Sequence, residues 1–306
     1  MSAPPPVAVR RMNAAVLGAP RSIRIRRHAL REPSSGDVLV RVSGSGVCAS
    51  DLPLWEGRSW FAYPLEPGAP GHEGWGVEVE SGRRVALLSS HTYAEYEVVP
   101  KNRVVPLPPE LDDRPFPGEA LGCAMNIFAR CGALADQTVA IVGAGFLGLL
   151  LVQLCVHAGA RTVAFSRRES ALDLARRFGA ETPSEELDES CDVVIEAAGG
   201  QETLDRATRL CRTRGRLVIA GYHQDGRRAV DMQLWNWRGL DVVNAHERDP
   251  VCYLEGMRAA IAAVVAGRLD PTPLYTHVLP LERLADAFEL VRTRPEGFVK
   301  ALVVTE

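Results

Sequence analysis

The sequence predicts an α/β chain in which an irregular β-rich domain is followed by a doubly wound parallel sheet. Three observations predict it. Up to about residue 110, Gly and Pro cut the chain into short β-prone runs. Beyond that, strand-like and helix-like stretches alternate, the pattern of a parallel sheet. The first of them, "TVAIVGA", is apolar without a break, as in a strand covered on both faces.

Taken in order, "MSAPPPVAVRRMN" reads as a Pro-rich leader with no apolar core of signal-peptide length. The runs "NAAVLGA", "DVLVRVSG", "GWGVEVE", "RRVALL" and "AEYEVVP" follow as strands. The Pro-rich "VVPLPPELDDRPFPG" marks a joint, so a first domain is set at residues 1–112. "TVAIVGA" then runs into the helix-length "GFLGLLLVQLCVHAGA". "RTVAFS" (strand), "ESALDLARRFGA" (helix), "CDVVIEAAG" (strand), "ETLDRATRLCRTRG" (helix) and "RLVIAGY" (strand) come next. "LDVVNAH" reads as a further strand and "YLEGMRAAIAAVVAGRL" as a helix, closing a second domain at 113–270. The tail, 271–306, returns to strand, helix, strand and is expected to rejoin the first domain.

The bulk numbers describe an ordinary globular chain. Of 306 residues 46% are hydrophobic and 24% charged, and the net charge of −3 argues against nucleic acid or an anionic membrane as partner. No apolar run approaches the roughly 20 residues of a membrane span. Seven cysteines without a CxxC pair make no disulfide framework, and they point to a reducing cytoplasm.

Gly143, Gly145 and Gly148 spell G-x-G-x-x-G between a predicted strand and a predicted helix, the context a dinucleotide site requires. The glycines serve a tight turn, a close approach of pyrophosphate to backbone, and close helix packing; Phe146 and Leu147 fill the turn. The helix N-terminus faces the anion. At the end of the next strand an NAD site usually carries an acid for the ribose 2′-hydroxyl. Here Ser166 holds that place and Arg167 and Arg168 follow, which favours NADP(H) over NAD(H), since Ser and Arg can hold a 2′-phosphate. Glu169 comes too late to replace the acid.

Cys48, in "GVCASD", precedes His72 and Glu73 in "GHEGWG" and Glu119 in "GEALGC". Thiolate, imidazole and carboxylate are the donors of a catalytic zinc site, which has three protein ligands and an open position. Asp51 is placed to hold the second ring nitrogen of His72. Taken singly, Cys48 reads equally as a buried small hydrophobe, His72 as a satisfied loop histidine and Glu119 as a surface acid or cap. Cys123 competes with Glu119 for the third ligand position.

Together these segments resemble the zinc-dependent medium-chain dehydrogenase/reductase family, the alcohol and polyol dehydrogenases. "GVCASD" is similar to its G-[VI]-C-G-S-D segment, "PGHEGWGVEVE" to its P-G-H-E-x-x-G-x-V, "TYAEYEVVP" to its T-[FY]-A-E-Y and "GAGFLG" to its cofactor turn. The resemblance spans nearly the whole chain. It implies a GroES-like catalytic domain closed by the C-terminal segment, a Rossmann domain, and a homodimer or homotetramer. It further implies that Cys48 and His72 ligate zinc, that Glu73 is the neighbouring acid able to reach the metal, and that Ser50 takes the substrate proton. Glu119 matches the third ligand of the sorbitol dehydrogenase branch, with "EAL" where that branch has E-P-L. The implied reaction is reversible oxidation of an alcohol, such as a polyol or cyclitol, to its ketone or aldehyde.

Three departures stand out. The four-cysteine lobe of the family's structural zinc is missing, so one zinc is expected. Ala49 replaces a Gly, and Pro53 stands where many members carry a relay His. Beyond the motifs, His246 and Arg248 in "LWNWRGLDVVNAHERD" are candidate contacts to a polar substrate, as is His223; Trp235 and Trp237 read as core or interface anchors. Two other functions fit the same fold: a zinc-free quinone or enone reductase, and a non-catalytic cofactor-binding sensor or structural protein.

Overall fold

The computed structural model describes residues 11–181 and 187–305; the start of the Pro-rich leader lies outside them. The chain begins with β1 (Arg11–Ala19) and β2 (Ser22–Ala29), an antiparallel pair. Then come β3 (Asp37–Val47), the short α1 (Leu52–Glu56), β4 (Glu73–Glu78), β5 (Arg84–Leu87), β6 (Tyr96–Pro100) and β7 (Val104–Pro106). After α2 (Gly118–Cys131) the alternation starts: β8 (Thr138–Val142), α3 (Phe146–His157), β9 (Arg161–Phe165), α4 (Glu169–Arg177), β10 (Cys191–Glu196), α5 (Gln201–Leu210) and β11 (Cys211–Ile219). It continues with α6 (Met232–Arg238), β12 (Asp241–Asn244) and α7 (Pro250–Val265), and the chain closes with β13 (His277–Pro280), α8 (Leu284–Thr293) and β14 (Ala301–Val304).

Two compact units result: residues 1–120 with 275–306, and residues 121–274. The sequence places the joints at 112/113 and 270/271. The first boundary in the structure falls inside α2, where the helix runs on unbroken through Gly122 and leaves no change of pattern to read.

The first unit is built on a seven-stranded sheet ordered β13-β14-β3-β4-β5-β7, with β6 also paired to β3. β14 lies antiparallel to β3, with Ala301 opposite Val47 and Val304 opposite Gly44. α8 covers this region. Its Phe288, fully buried, stacks on Trp55 at 5.1 Å and meets Tyr93 edge-on at 6.0 Å. These rings anchor α1 and the segment after Cys48 from behind.

The second unit carries a five-stranded parallel sheet ordered β12-β11-β10-β8-β9. β8 is buried from Val139 to Val142, and α3 is buried from Gly148 to Cys155, as expected of elements without a polar face. The one amide in that stretch is satisfied: Gln153 donates to the Asp270 carbonyl at 3.0 Å and accepts from its N–H at 2.7 Å.

The sequence reading does not mark β2, β7, α1 or α2, and it differs from the structure at two further places in the second unit. "CRTRG" is not the end of a helix; α5 stops at Leu210, and Cys211 opens β11 as the ladder partner of Cys191. Both cysteines are fully buried, and pairing with the sheet overrides the helix preference of the flanking residues. α6 was not foreseen. Its signals are a cap and a stop: Asp231 accepts from the Leu234 N–H at 2.9 Å, and Gly239 takes φ +59°.

Candidate metal centre and dinucleotide turn

Cys48 ends the long strand β3 and enters the turn before α1, while His72 and Glu73 enter β4. β3 and β4 are antiparallel, with Gly46 opposite Glu73, so the ladder brings the thiol, imidazole and carboxylate together. One donor atom from each of Cys48, His72 and Glu73 lies within 4.8 Å of the others. Glu119, in the first turn of α2, places its carboxylate 4.0 Å from His72 Nε2. On the other side of the ring, Nδ1 lies 3.1 Å from the Pro70 carbonyl and 3.5 Å from Asp51. Sequence reading picked Asp51 for that nitrogen; the backbone carbonyl is the nearer partner. Ser50 donates to Cys48 Sγ at 3.2 Å.

Electrostatics at this spot are lopsided. Asp51, Glu73 and Glu119 are all buried, and the buried cation facing them is Lys300. Lys300 immediately precedes β14 and lies 2.6 Å from the Glu73 carboxylate. Burial works against its charge, and Glu73 and Cys48 more than offset that, so the ammonium is held protonated. Burial pushes the Asp51 carboxyl up to about 7, with Glu73 and Glu119 adding to the push against the pull of His72 and Lys300. Burial also opposes the imidazolium of His72, but Asp51 and Cys48 prevail and raise it well above the ordinary histidine range. Uncompensated buried carboxylates are costly. The carboxylates that favour the charged His72 would favour a divalent cation in the same place, and a soft thiolate with imidazole and carboxylate suits Zn²⁺. The residues therefore fit the metal that the motifs imply.

Lys300 is the functional residue sequence reading missed. Its signal, a lysine in "GFVKALVV" before an apolar strand, means nothing until β14 is seen beside β3. Among the described residues neither Glu119 nor Cys123, one turn further along α2, is in the converging set of Cys48, His72 and Glu73, though the Glu119 carboxylate comes within 4.0 Å of His72 Nε2.

In the second unit, the turn between β8 and α3 has the geometry its glycines predict. Gly143 has φ +112°, and a Cβ there would come within 2.9 Å of Ala198. A Cβ on Gly148 would lie 1.9 Å from the Gly143 carbonyl oxygen, whereas one on Gly145 would meet no atom within 4 Å. Gly143 and Gly148 are needed for packing, and Gly145 leaves the approach to the start of α3 open for an anion. Phe146 and Leu147 form the first turn of that helix. At the end of β9, Ser166 accepts from the Arg168 N–H at 3.1 Å; Arg167 is exposed, and Arg168 caps α4. Glu169 is engaged by Arg176 at 2.7 Å.

The remaining candidates divide. His246 stacks on Tyr222, with ring centres 5.3 Å apart. His223 bonds Glu196, Arg248 is half-buried, and Trp235 donates to Thr208 at 3.2 Å against the core. Trp237 is 89% exposed and anchors nothing in the chain's own core.

Known proteins bear on both units. The alcohol dehydrogenase GroES-like domain family matches residues 34–109, and the zinc-binding dehydrogenase family matches 147–246. An L-threonine 3-dehydrogenase of Bacillus velezensis is 26% identical, over 85% of this chain and 89% of its own length. Among solved structures, a Sinorhizobium meliloti 1021 protein assigned as a zinc-binding dehydrogenase, bound to NADP, superposes with TM-score 0.82 at 26% identity, covering 96% of this chain and 99% of that one. Escherichia coli L-idonate 5-dehydrogenase gives TM-score 0.84 at 18% identity, covering 96% and 98%, a likeness of fold.

Proposed function

The chain belongs to the zinc-dependent medium-chain dehydrogenase/reductase family, and from that premise we propose that it interconverts a secondary alcohol and its ketone with NADP(H). The observation that carries the proposal is the convergence of Cys48, His72 and Glu73 within 4.8 Å, with the buried carboxylates of Asp51 and Glu119 close to His72. Cys48 and His72 hold one zinc. Glu119 supplies the third ligand, because Glu73 is already engaged by Lys300 at 2.6 Å. When bound, zinc supplies Lewis-acid polarisation of the substrate oxygen, and the nicotinamide exchanges hydride.

The chain's own residues do the rest. The Pro70 carbonyl and Asp51 orient the His72 ring from its Nδ1 side. Ser50 receives the proton of the substrate hydroxyl and passes it outward, without the relay histidine whose place Pro53 takes. Ser166 and Arg167 meet the 2′-phosphate, and the nearby Glu169 is drawn off by Arg176, which supports NADP(H) over NAD(H). The substrate class is a polyol, cyclitol or related secondary alcohol, and L-threonine belongs in the same screen because the curated relative acts on it. The reading carries with it a cytoplasmic homodimer or homotetramer.

The experiment is metal content by mass spectrometry beside turnover with NADP⁺ and NAD⁺ across these alcohols. We expect about one zinc per chain in the wild type and none in Cys48→Ser. Zinc-free wild-type protein that reduces quinones or enones would overturn the proposal.

A further inference from the structure

One polar cluster in the second unit is untouched by this mechanism. Glu196, the last residue of β10, is fully buried, and its carboxylate is fully engaged. Oε1 accepts from the N–H groups of Ala198 at 2.9 Å and Gly199 at 2.7 Å and from the Thr203 hydroxyl at 2.7 Å. Oε2 meets His223 Nε2 at 3.0 Å. The other ring nitrogen, Nδ1, lies 2.9 Å from Arg228 Nε. An arginine Nε–H can only donate, so Nδ1 is the acceptor and the ring carries its proton on Nε2, which donates to Glu196. Arg228 also donates to the Gly199 carbonyl at 2.8 Å and pairs with Asp225.

The cluster clamps two loops together. One follows β10 and the other follows β11. Gly221 lies so close to the first that a Cβ on it would come 2.4 Å from Gly199 N. The clamp is continuous with the dinucleotide turn, because Ala197 and Ala198 back directly onto Gly143. It also fixes Tyr222, whose ring is 47% exposed and stacks on His246 beyond β12.

Strand order says which part of the cofactor this wall serves. In β12-β11-β10-β8-β9, the pyrophosphate turn follows β8 and Ser166 follows β9. A dinucleotide lies extended across the carboxyl ends of the strands. With its adenosine ribose at β9, its nicotinamide half must cross β8 to the side of β10, β11 and β12.

We propose that His223, held between Glu196 and Arg228, is a positioning residue for the nicotinamide half of the cofactor, setting the loop that presents Tyr222 and His246. The inference rests on the dinucleotide reading above, and it separates the two halves of the cofactor. Loss of His223 frees the 221–228 loop, while Glu196 keeps its bonds to the Ala198 and Gly199 N–H groups, so the wall behind Gly143 stays in place and Ser166, after β9, is not touched.

The test compares two probes: NADPH, followed by the fluorescence of its bound nicotinamide, and 2′,5′-ADP, which carries only the adenosine half. In His223→Leu we expect the Kd for NADPH to rise about tenfold, the worth of a lost hydrogen bond and its ordering, with the Kd for 2′,5′-ADP unchanged. His223→Gln, whose amide can donate to Glu196 and accept from Arg228, should restore NADPH binding. Arg228→Gln, which leaves the His223–Glu196 bond in place, should repeat the split if His223→Leu does not fold. Equal weakening of both probes, or no weakening of either, would overturn the proposal while leaving the dinucleotide site standing. Wild-type protein that binds neither probe, and NADH no better, would remove the dinucleotide reading and this inference with it.

Discussion

Lys300 brings its ammonium within 2.6 Å of Glu73, with 227 positions of chain between them. In a pair this buried, removing one partner strands the other charge. Lys300→Met should therefore cost about 3–5 kcal/mol in urea unfolding of metal-free protein, and Glu73→Gln in the same chain should recover much of it. Independent, additive losses in the double variant would show that the two side chains are not coupled. Glu97 poses the opposite case. Burial pushes its carboxyl up to about 7, against the hydroxyl of Ser89 and the charge of Arg31. Its ordinary value is 4.5, so between about 4.5 and 7 the folded state holds a proton that the unfolded chain has released. Stability must then fall as pH rises through that window, and stay lowered above it. Glu97→Gln keeps an acceptor for Ser89 and should raise stability at pH 8 by on the order of 2 kcal/mol, with little change at pH 4. Equal effects at both pH values in thermal melts would contradict this. At this scale the sequence named Cys48, His72, Glu73 and Glu119, because motif spacing identifies donors. Lys300 and Glu196 stayed silent, because a single charged residue in a strand-like run carries no local sign of its partner.

The turn joining β8 to α3 makes three glycines of one motif do different work. Gly148→Ala would drive a Cβ to 1.9 Å from the Gly143 carbonyl oxygen, so the strand–helix unit must deform and the melting temperature should drop by several degrees. Gly145→Ala meets no protein atom within 4 Å and should leave the melting temperature nearly unchanged while weakening NADPH tenfold or more, by blocking the anion. Measuring melting and binding on both variants separates the roles; a Gly145 variant that binds as the wild type does would refute the pyrophosphate assignment. Elements with a strong local pattern, such as β8, α3 and α4, were legible in the residues themselves. The start of β11 was not, since "CRTRG" is locally helix-compatible and becomes strand only through the ladder from Cys191 to Cys211.

At the level of the whole molecule, the first unit is discontinuous: residues 275–306 return to it and supply β13, α8 and β14. They bring Phe288 against Trp55 and Tyr93, and Lys300 against Glu73. A chain ending at residue 274 loses all of these, and its first unit should not fold. The fluorescence of Trp55 and Trp75, both buried, would report it, while residues 121–274 keep their own sheet and core. Native-like emission from those tryptophans in the truncated chain would disprove the dependence. The sequence by itself determined the fold class, the alternation of the dinucleotide unit, the glycine turn and the residues of the candidate metal centre, because each is written in local periodicity or in short motifs whose chemistry is self-contained. Tertiary structure alone decided which carboxylate is ion-paired, where α5 yields to β11, and that Glu196, His223 and Arg228 meet. Those facts depend on contacts between residues far apart in the chain, which close only when the strands take their order in the sheet.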